Sequence, residues 1–213
     1  MTDSGNGEPL PFELTETDRQ NLAQGDAHFK PLTWDDLREI IARNDLSILK
    51  RKPSDLIRYI AWTNSTKAAY GSITNFILQE RLHWVPLPSS SDETGPLFVT
   101  ESDAPFISSN DYQILPNDWP YGMEPGISHL VVWLKTRLAV EGEEGQLTAE
   151  SRALVDGFVK KVFEERLAQH GLSGDRILWF KNWVGLQSVR GVEHVHVLVR
   201  QVPRAILGEW TGT

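Results

Sequence analysis

Cysteine is missing from all 213 residues. The chain therefore has no disulfide, no thiolate metal ligand and no thiol nucleophile, and covalent catalysis would have to use a hydroxyl, an imidazole, an amine or a carboxylate. Long apolar runs are missing too, since none reaches the roughly 18 residues of a membrane span. Met1 to Pro11 is polar and unlike a signal peptide. We expect a soluble, cytoplasmic protein without membrane contact.

Positive charge is scarce, because 21 Lys and Arg stand against 29 Asp and Glu and the formal net charge is −8. A general nucleic-acid binder needs a basic surface that releases counterions, so this class is disfavoured for the chain as a whole. A local exception comes where four cations fall within nine residues, at Lys50, Arg51, Lys52 and Arg58. They are interpreted either as a solvated loop between helices or as a local contact with nucleic acid.

The chain is long enough for one sizeable core, with 40% hydrophobic residues. Residues 1–28 carry few apolar residues at either helical or strand spacing, and we predict a flexible N-terminal arm there. Residues 29–213 are predicted to form a single catalytic domain.

Periodicity predicts helices in the first third and strands in the second half. Between Pro86 and Pro125, which hold seven of the twelve prolines, we expect a passage without regular structure that acts as a lid or pocket wall. Alternation predicts strands over 128–135, 176–183 and 192–201, with one long helix capped by Thr148 and ending at Gly171. The predicted fold class is α+β, with a helical N-terminal layer packed on a small, mostly antiparallel sheet.

The most acidic helix start holds Asp35, Asp36 and Glu39 within an arc of roughly 100°. One interpretation is structural: Thr33 is the N-cap, Asp36 completes a capping box, and acidic groups in the first turn suit the helix dipole. The other is functional. Three close carboxylates repel one another unless a cation lies among them, and a guanidinium would suit that place.

Two histidines, His194 and His196, share one face of the last predicted strand, and valines occupy the other. The valine face is expected to be the core, so the histidines face a cleft or solvent. They are interpreted as general acid/base groups, as metal ligands or as plain surface residues. No further ligand is apparent near them, and we expect no metal.

The segment from His129 to His196 is similar to the histidine-triad nucleotide hydrolases in the order of its elements. A strand is followed by a helix that begins at Leu147-Thr148, then by a strand that ends at Asn182, and finally by a His-x-His motif. The third alternating position, a histidine in that family, is Leu198 here. A histidine-triad-like core, with nucleotide hydrolase or transferase activity, is therefore an alternative.

Several segments together resemble the fungal N-acetylglucosamine-induced protein family over roughly residues 34–200. They are 49–55, Tyr70-Gly71-Ser72, Trp119-Pro120-Tyr121-Gly122, Lys181-Asn182 and 193–197. Within similar fungal sequences, residues 35–39 match the Asp-Asp-x-x-Glu motif of the arginine-containing cyclodipeptide synthases. A third hypothesis for the function, beside the synthase and the histidine-triad enzyme, is a non-catalytic protein that takes part in the response to sugar.

The resemblance implies an enzyme that joins arginine from arginyl-tRNA to an amino acid from a second charged tRNA as a diketopiperazine. It implies roles for Asp35, Asp36 and Glu39 in holding the guanidinium or moving protons, and His194 or His196 is expected to shuttle protons. Substrate-binding candidates are Glu193, Tyr70, Ser72, Trp119, Tyr121, Lys181 and Asn182. Lys50, Arg51, Lys52 and Arg58 are the tRNA-binding candidates, and Ser72 or Ser188 is a candidate carrier of a transient ester. The charged tRNAs are transient partners; we expect no cofactor and no stable protein partner.

Overall fold

The computed structural model of the chain describes residues 16–88 and 95–213. Helices come first and a four-stranded antiparallel sheet follows, which confirms the predicted α+β class. The α-helices are α1 (Glu16–Gln24), α2 (Trp34–Ala42), α3 (Pro53–Tyr70), α4 (Ile73–Phe76), α5 (Ala149–Val159), α6 (Glu165–Gln169) and α7 (Arg204–Thr211). Two π-helical segments, Ile77–Leu82 and Lys160–Glu164, continue α4 and α5. Short 3₁₀ helices span Asp26–His28, Leu46–Ile48, Ser109–Asp111, Gly174–Arg176 and Val184–Leu186.

The sheet consists of the strands β1 (Tyr112–Pro116), β2 (Ile127–Leu134), β5 (Ile177–Phe180) and β6 (Glu193–Arg200). Their order in the sheet is β1-β2-β6-β5, and every neighbouring pair is antiparallel. A separate hairpin pairs β3 (Val140–Glu141) with β4 (Gln146–Leu147). The three predicted strands thus correspond to β2, β5 and β6, and β1 and the hairpin are additional.

Both faces of the sheet are covered by helices. On one face Val195, Val197 and Val199 of β6 pack with α5 and its continuation, where Phe163 and Val155 are fully buried. This confirms the prediction of a valine core. The opposite face carries His129, Val131 and Trp133 of β2 beside the even-numbered residues of β6, because side chains alternate along each strand.

Two separate clusters cover that second face. Ile77 and Leu78 of the π-helical segment pack on Val131 and Trp133 at one end. Trp34 and Leu37 of α2 pack on Phe180 and Leu198 at the other. The histidines of β2 and β6 lie on the strip between the two clusters.

Helix α2 begins as its sequence predicts. The Thr33 hydroxyl accepts a hydrogen bond from Asp36 N at 3.2 Å, and the Asp36 carboxylate accepts one from Thr33 N at 2.9 Å, which confirms the capping box. Trp34, Leu37 and Ile40 are buried on its inner face. The helix is therefore amphipathic and anchored to the sheet by its apolar side.

The prediction of a flexible arm up to residue 28 is wrong for residues 16–28, which contain α1 and a 3₁₀ turn. Asn21 in α1 is buried and its amide donates to Arg51 O, while Asp26 accepts a hydrogen bond from Ser54 N. These polar contacts order a segment that has few apolar residues. Residues 1–15 lie outside the described residues, and the single catalytic domain stays a prediction.

The proline-rich passage between Pro86 and Pro125 was predicted to lack regular structure, but it contains strand β1 and a 3₁₀ turn. Asp111 anchors it from a buried position, since its carboxylate accepts hydrogen bonds from Glu101 N and Ser102 N at 2.9–3.0 Å. Proline is compatible with β1 because it ends that edge strand at Pro116. Across the described parts of the chain, no helix is long and apolar enough to cross a membrane.

Leu37 provides a test of how α2 is held. Replacing this fully buried residue by alanine should lower the free energy of unfolding by roughly 2–5 kcal/mol, because a cavity opens between α2 and the sheet. The matched exposed change Arg38→Ala should leave the urea midpoint almost unchanged. Equal midpoints for the two variants would contradict this packing.

Candidate functional site

A pocket with a cavity volume of about 90 Å³ lies on the second sheet face, between the two helical clusters. Five aromatic rings line it, from Tyr59, Trp62, Trp119, Tyr121 and Trp133. Its polar lining consists of Arg51, Arg81, Asn117, Asp118, Asn182, Ser188, His194 and His196. Apolar walls with a few convergent polar groups are the usual make-up of a small-molecule site.

The pocket wall that holds Trp119 and Tyr121 is fixed, through Gly122, to the loop that contains Lys50 and Arg51. Gly122 N donates to Lys50 O at 2.8 Å, and Gly122 O accepts from Leu32 N at 3.0 Å. Glycine is required here because a Cβ would collide with the Phe29 ring. The corner Trp119-Pro120-Tyr121-Gly122 is therefore both a packing corner and a pocket wall.

Arg51 joins this wall to α3. Its Nε donates to Trp119 O at 3.2 Å, and its guanidinium lies over the Tyr59 ring, 4.1 Å from the centroid. Of the predicted tRNA-binding residues, Arg51 alone lines the pocket.

An ion pair between Arg81 and Asp118 forms another part of the lining, at 2.9 Å. Arg81 and Ile77 come from the π-helical segment that continues α4, and such segments are frequent at functional sites. Burial raises the pKa of Asp118, and the Arg81 charge opposes this shift. Asp118 is the one carboxylate that residues 16–88 and 95–213 contribute to the lining.

The hydrogen-bond partner of His194 determines its tautomer. Its Nδ1 lies 2.8 Å from Val192 O, which can only accept, so Nδ1 carries the hydrogen and Nε2 keeps the lone pair. The imidazole packs against the Trp133 ring at a tilt of 36°, with 4.7 Å between the ring centroids, and is 6% exposed. Burial lowers its pKa, so the ring is neutral near pH 7. A buried neutral imidazole with a free lone pair is suited to act as a general base.

His196 contacts a further histidine, His129 of β2. The distance between His196 Nδ1 and His129 Nε2 is 2.9 Å, and Asn182 Nδ2 lies 3.3 Å from His196 Nε2. Burial lowers the pKa of His129 to about 3, and the positive charge of Arg51 adds to this shift. Burial also lowers the pKa of His196 well below its usual value, and the neighbouring His129 and His194 lower it further. The alternative of solvent-facing histidines is therefore wrong, since these side chains are 6–7% exposed.

The pocket brings together five of the predicted catalytic and substrate-binding residues: Trp119, Tyr121, Asn182, His194 and His196. Sequence reasoning did not single out Arg81, Asp118 or His129 for the site. Asp118 precedes the Trp119 motif directly, which is the signal that could have found it. His129 could have been found from its place on the alternating face of β2, which pairs with the histidine strand.

The acidic triplet does not line this pocket. Asp36 and Glu39 line a separate surface groove with Lys30 and Lys50. The side chains of Asp35 and Glu39 are 82% and 69% exposed, and each pairs within its own helix turn, with Arg38 at 2.8 Å and Arg43 at 3.3 Å. Hydrogen bonds from Thr33 lower the pKa of Asp36. The structure thus does not bring the triplet together with His194 and His196.

Of the two predicted ester carriers, Ser188 lines the pocket and Ser72 does not, and the other predicted substrate-binding residues lie outside the lining. Tyr70 donates its hydroxyl hydrogen bond to Glu80, and Ser72 caps α4. Lys181 and Glu193 form a buried ion pair at 3.2 Å.

The remaining predicted cations are held elsewhere. Lys52 pairs with Asp26 at 2.9 Å, and Arg58 pairs with Asp55. Lys50 lies 5.7 Å from the Phe29 ring centroid. Within residues 16–88 and 95–213, no group of three or more His, Asp or Glu is arranged to hold a metal ion.

Comparison with known proteins identifies a family over most of the chain. Residues 33–200 match the family described as "Protein of unknown function (DUF3605)". The N-acetylglucosamine-induced protein 1 of Candida albicans is 32% identical over 188 residues, which are 84% of this chain and 72% of that protein. An uncharacterized protein of Saccharomyces cerevisiae is 32% identical over 182 residues, 85% and 82% of the two chains.

One solved structure has a similar fold. The crystal structure of HTC1 superposes with a TM-score of 0.58 at 26% identity, covering 84% of this chain and 91% of HTC1. The resemblance to the N-acetylglucosamine-induced family is thus confirmed. A histidine-triad-like core is not identified by any of these comparisons and stays a hypothesis.

The buried histidines predict a specific pH dependence of stability. Because the pKa of His129 is about 3 when folded and 6.5 in its ordinary state, the unfolded chain binds a proton that the native chain does not. His129 therefore favours unfolding progressively as the pH falls from about 6.5 to about 3. His129→Phe, which cannot titrate, should show a shallower fall of the urea midpoint between pH 7 and pH 4.

The matched control is His170→Phe at the exposed end of α6, which should keep the slope of the wild type. Identical slopes for all three proteins would contradict a His129 that is neutral when folded.

Proposed function

The chain belongs to the DUF3605 family, and from that premise we propose that its pocket is a catalytic site where an amine attacks an aminoacyl ester. The proposed reaction is the one implied by the resemblance of residues 35–39 to the arginine-containing cyclodipeptide synthases. Arginyl-tRNA and a second charged tRNA supply the two acyl groups, and a cyclo-arginyl diketopiperazine is the product. The observation that carries the proposal is the buried, neutral His194 with its lone pair on Nε2.

Each turnover needs two amide-forming steps, in which the same bonds form and break and the same proton transfers occur. The substrate α-amine loses a proton to His194 Nε2, and its nitrogen forms a bond to the ester carbonyl carbon. The bond from that carbon to the ribose oxygen then breaks, and the imidazolium returns the proton to the leaving oxygen. The ester bonds supply the driving force, so the proposal requires no cofactor.

The size of the cavity favours one acyl group at a time. Its volume of about 90 Å³ is below the roughly 150 Å³ of an engineered apolar cavity that accommodates benzene. The aromatic rings of Trp119 and Trp133 suit the apolar part of an amino-acid side chain. The ester under attack would accordingly occupy the cavity, while the amino acid that supplies the attacking α-amine stays outside it at the pocket mouth.

The cations near the pocket support a contact with the tRNA terminus. Arg51 lines the pocket itself and can meet the phosphate that lies next to an aminoacylated ribose. Lys50, the neighbour of Arg51 in the chain, lies in the separate groove with Asp36 and Glu39. In this proposal the groove receives the parts of the substrate that remain outside the pocket, and the arginine guanidinium is the group that suits its carboxylates.

A second candidate is a non-catalytic role in sugar response. It is favoured by the name of the Candida albicans relative, an N-acetylglucosamine-induced protein. It is also consistent with the local ion pairs of Asp35 and Glu39, which serve α2 without any ligand. Under this alternative the pocket binds or packs without transferring an acyl group, and the cytoplasmic location predicted from the sequence applies equally.

The first test is product formation by the full chain. Incubation with arginyl-tRNA and a mixture of other charged tRNAs should give a cyclo-arginyl product in mass spectrometry. His194→Gln should lower the rate by about 10²–10⁴-fold, the usual contribution of a general base. His170→Gln, at an exposed position, is the matched control and should be fully active. Absence of product from the wild type, with arginyl-tRNA intact, would refute the proposal in favour of the non-catalytic alternative.

The second test concerns the acidic groove. The double variant Asp35→Asn, Glu39→Gln removes the groove carboxylate Glu39 and the exposed Asp35 one turn before it on α2. It should raise the KM for arginyl-tRNA at least threefold while the urea midpoint stays within error, since both carboxylates are exposed. The control is Glu150→Gln in the first turn of α5, which removes an equivalent exposed carboxylate. Unchanged kinetics in the double variant would restrict α2 to a structural role.

A further inference from the structure

Asp118 lies at the open end of the pocket. Its side chain is 42% exposed, whereas Tyr59, Trp133 and His194, which line the same cavity, are only 4–7% exposed. The cavity therefore opens beside this carboxylate and is deepest near the imidazole of His194. A ligand that fills the cavity extends to Asp118.

Only one oxygen of the Asp118 carboxylate is in use. Arg81 Nη2 donates to Asp118 Oδ1 at 2.9 Å, and Oδ2 forms no hydrogen bond with any of the described residues. The contact is thus a single hydrogen bond and lacks the second parallel bond of a bidentate arginine–carboxylate pair. Because an ionised carboxylate accepts hydrogen bonds on both oxygens, Oδ2 is available to a donor inside the pocket.

The pocket wall that carries Asp118 is held without this ion pair. Asn117 N donates to His129 O at 2.8 Å on one side, and Trp119 O accepts from Arg51 Nε at 3.2 Å on the other. An ion pair between partly exposed side chains stabilises a fold little, since water screens both charges. The packing of the wall therefore does not explain why a carboxylate lies at this position.

We propose that Asp118 Oδ2 binds the α-ammonium of the acyl group that occupies the cavity. In an aminoacyl ester this nitrogen lies two bonds from the carbonyl carbon, so one small cavity brings the carbonyl to His194 and the ammonium to Asp118. The aromatic walls then receive the apolar part of the side chain. The identity of the ligand as an aminoacyl ester rests on the proposed function, whereas the recognition of a primary ammonium does not.

The charges of the lining make this site selective. Arg51 and Arg81 oppose a cation, and Asp118 is the one described group of the lining that attracts it. The imidazoles of His194 and His196 add no positive charge, because burial lowers their pKa values and keeps the rings neutral. An N-acylated amino acid lacks the ammonium and loses this contact. The site therefore distinguishes free from blocked α-amines.

The contact also determines which amine attacks first. An ammonium has no lone pair, so the acyl group bound to Asp118 is attacked and does not itself attack while the contact lasts. After the first amide bond has formed, the same nitrogen gives its proton to His194 Nε2 and attacks the remaining ester carbonyl, which closes the ring. Asp118 is thus a binding residue, and His194 is the base.

Three small probes test which charge the pocket accepts. Leucinamide carries an α-ammonium, N-acetyl-leucinamide is neutral and N-acetyl-leucine is an anion, but all three have the same side chain. Near pH 7 we expect leucinamide to bind the full chain at least about tenfold more tightly than either blocked probe. Binding is followed by the indole N–H signals of Trp62, Trp119 and Trp133 in ¹H–¹⁵N spectra. Tighter binding of the anion, or no binding of leucinamide, would overturn the inference.

Two variants separate recognition from packing. Asp118→Asn keeps the shape of the side chain but removes its charge, and should weaken leucinamide binding by about tenfold or more while the affinity for N-acetyl-leucinamide stays the same. Arg81→Met removes the opposing charge and should strengthen leucinamide binding by about twofold. Equal weakening of all three probes in both variants would show that the ion pair only holds the wall. Asp103→Asn, at an exposed position outside the lining, is the matched control and should bind like the wild type.

These measurements need no tRNA. They decide the inference even if no cyclodipeptide is formed, an outcome that would refute the proposed function alone. Product formation by the wild type together with an unchanged leucinamide affinity in Asp118→Asn would overturn the inference and leave the proposed function intact. If Asp118→Asn does not fold, the order of the three probes on the wild type remains the deciding measurement.

Discussion

The register between β2 and β6 is the constraint on which the pocket depends. It pairs Val131 with His196 and Trp133 with His194, so His129 comes to lie diagonally across from His196 on the same sheet face. A shift by one residue would turn every histidine to the valine face, against α5. The buried valines of β6 therefore fix the register, and the register brings three histidines from two strands to one site.

Burial then determines the chemistry available at this site. The strip between the two helical clusters buries the histidines, and charged imidazoles are disfavoured there, so the three rings are neutral. Val192 O then defines the tautomer of His194. The acidic groups of α2 are in the opposite situation. They lie in water, and Asp35 and Glu39 pair with neighbours one turn away.

Local patterns predicted much of this arrangement. The two-residue period placed His194 and His196 on one face, and the spacing of Thr33 and Asp36 predicted the capping box. Contacts between distant segments could not be predicted in this way, because local residue periodicity does not indicate which segments pair with each other. β1 interrupts a proline-rich passage, Asn21 orders α1 by a hydrogen bond to Arg51, and His129 meets His196 across 67 residues. The acidic triplet had two interpretations in the sequence because capping and cation binding require the same residues at the same spacing.

The central claim is that the acyl group reacts in the histidine pocket and that the acidic groove only receives what extends from it. A crystal structure with a non-hydrolysable arginyl-adenosine amide tests this most directly. The account predicts that the acyl carbonyl lies in the pocket beside His194, with the 5′ side of the ribose toward Arg51. An analogue whose carbonyl lies instead against Asp36 and Glu39, with the pocket unoccupied, would contradict the account.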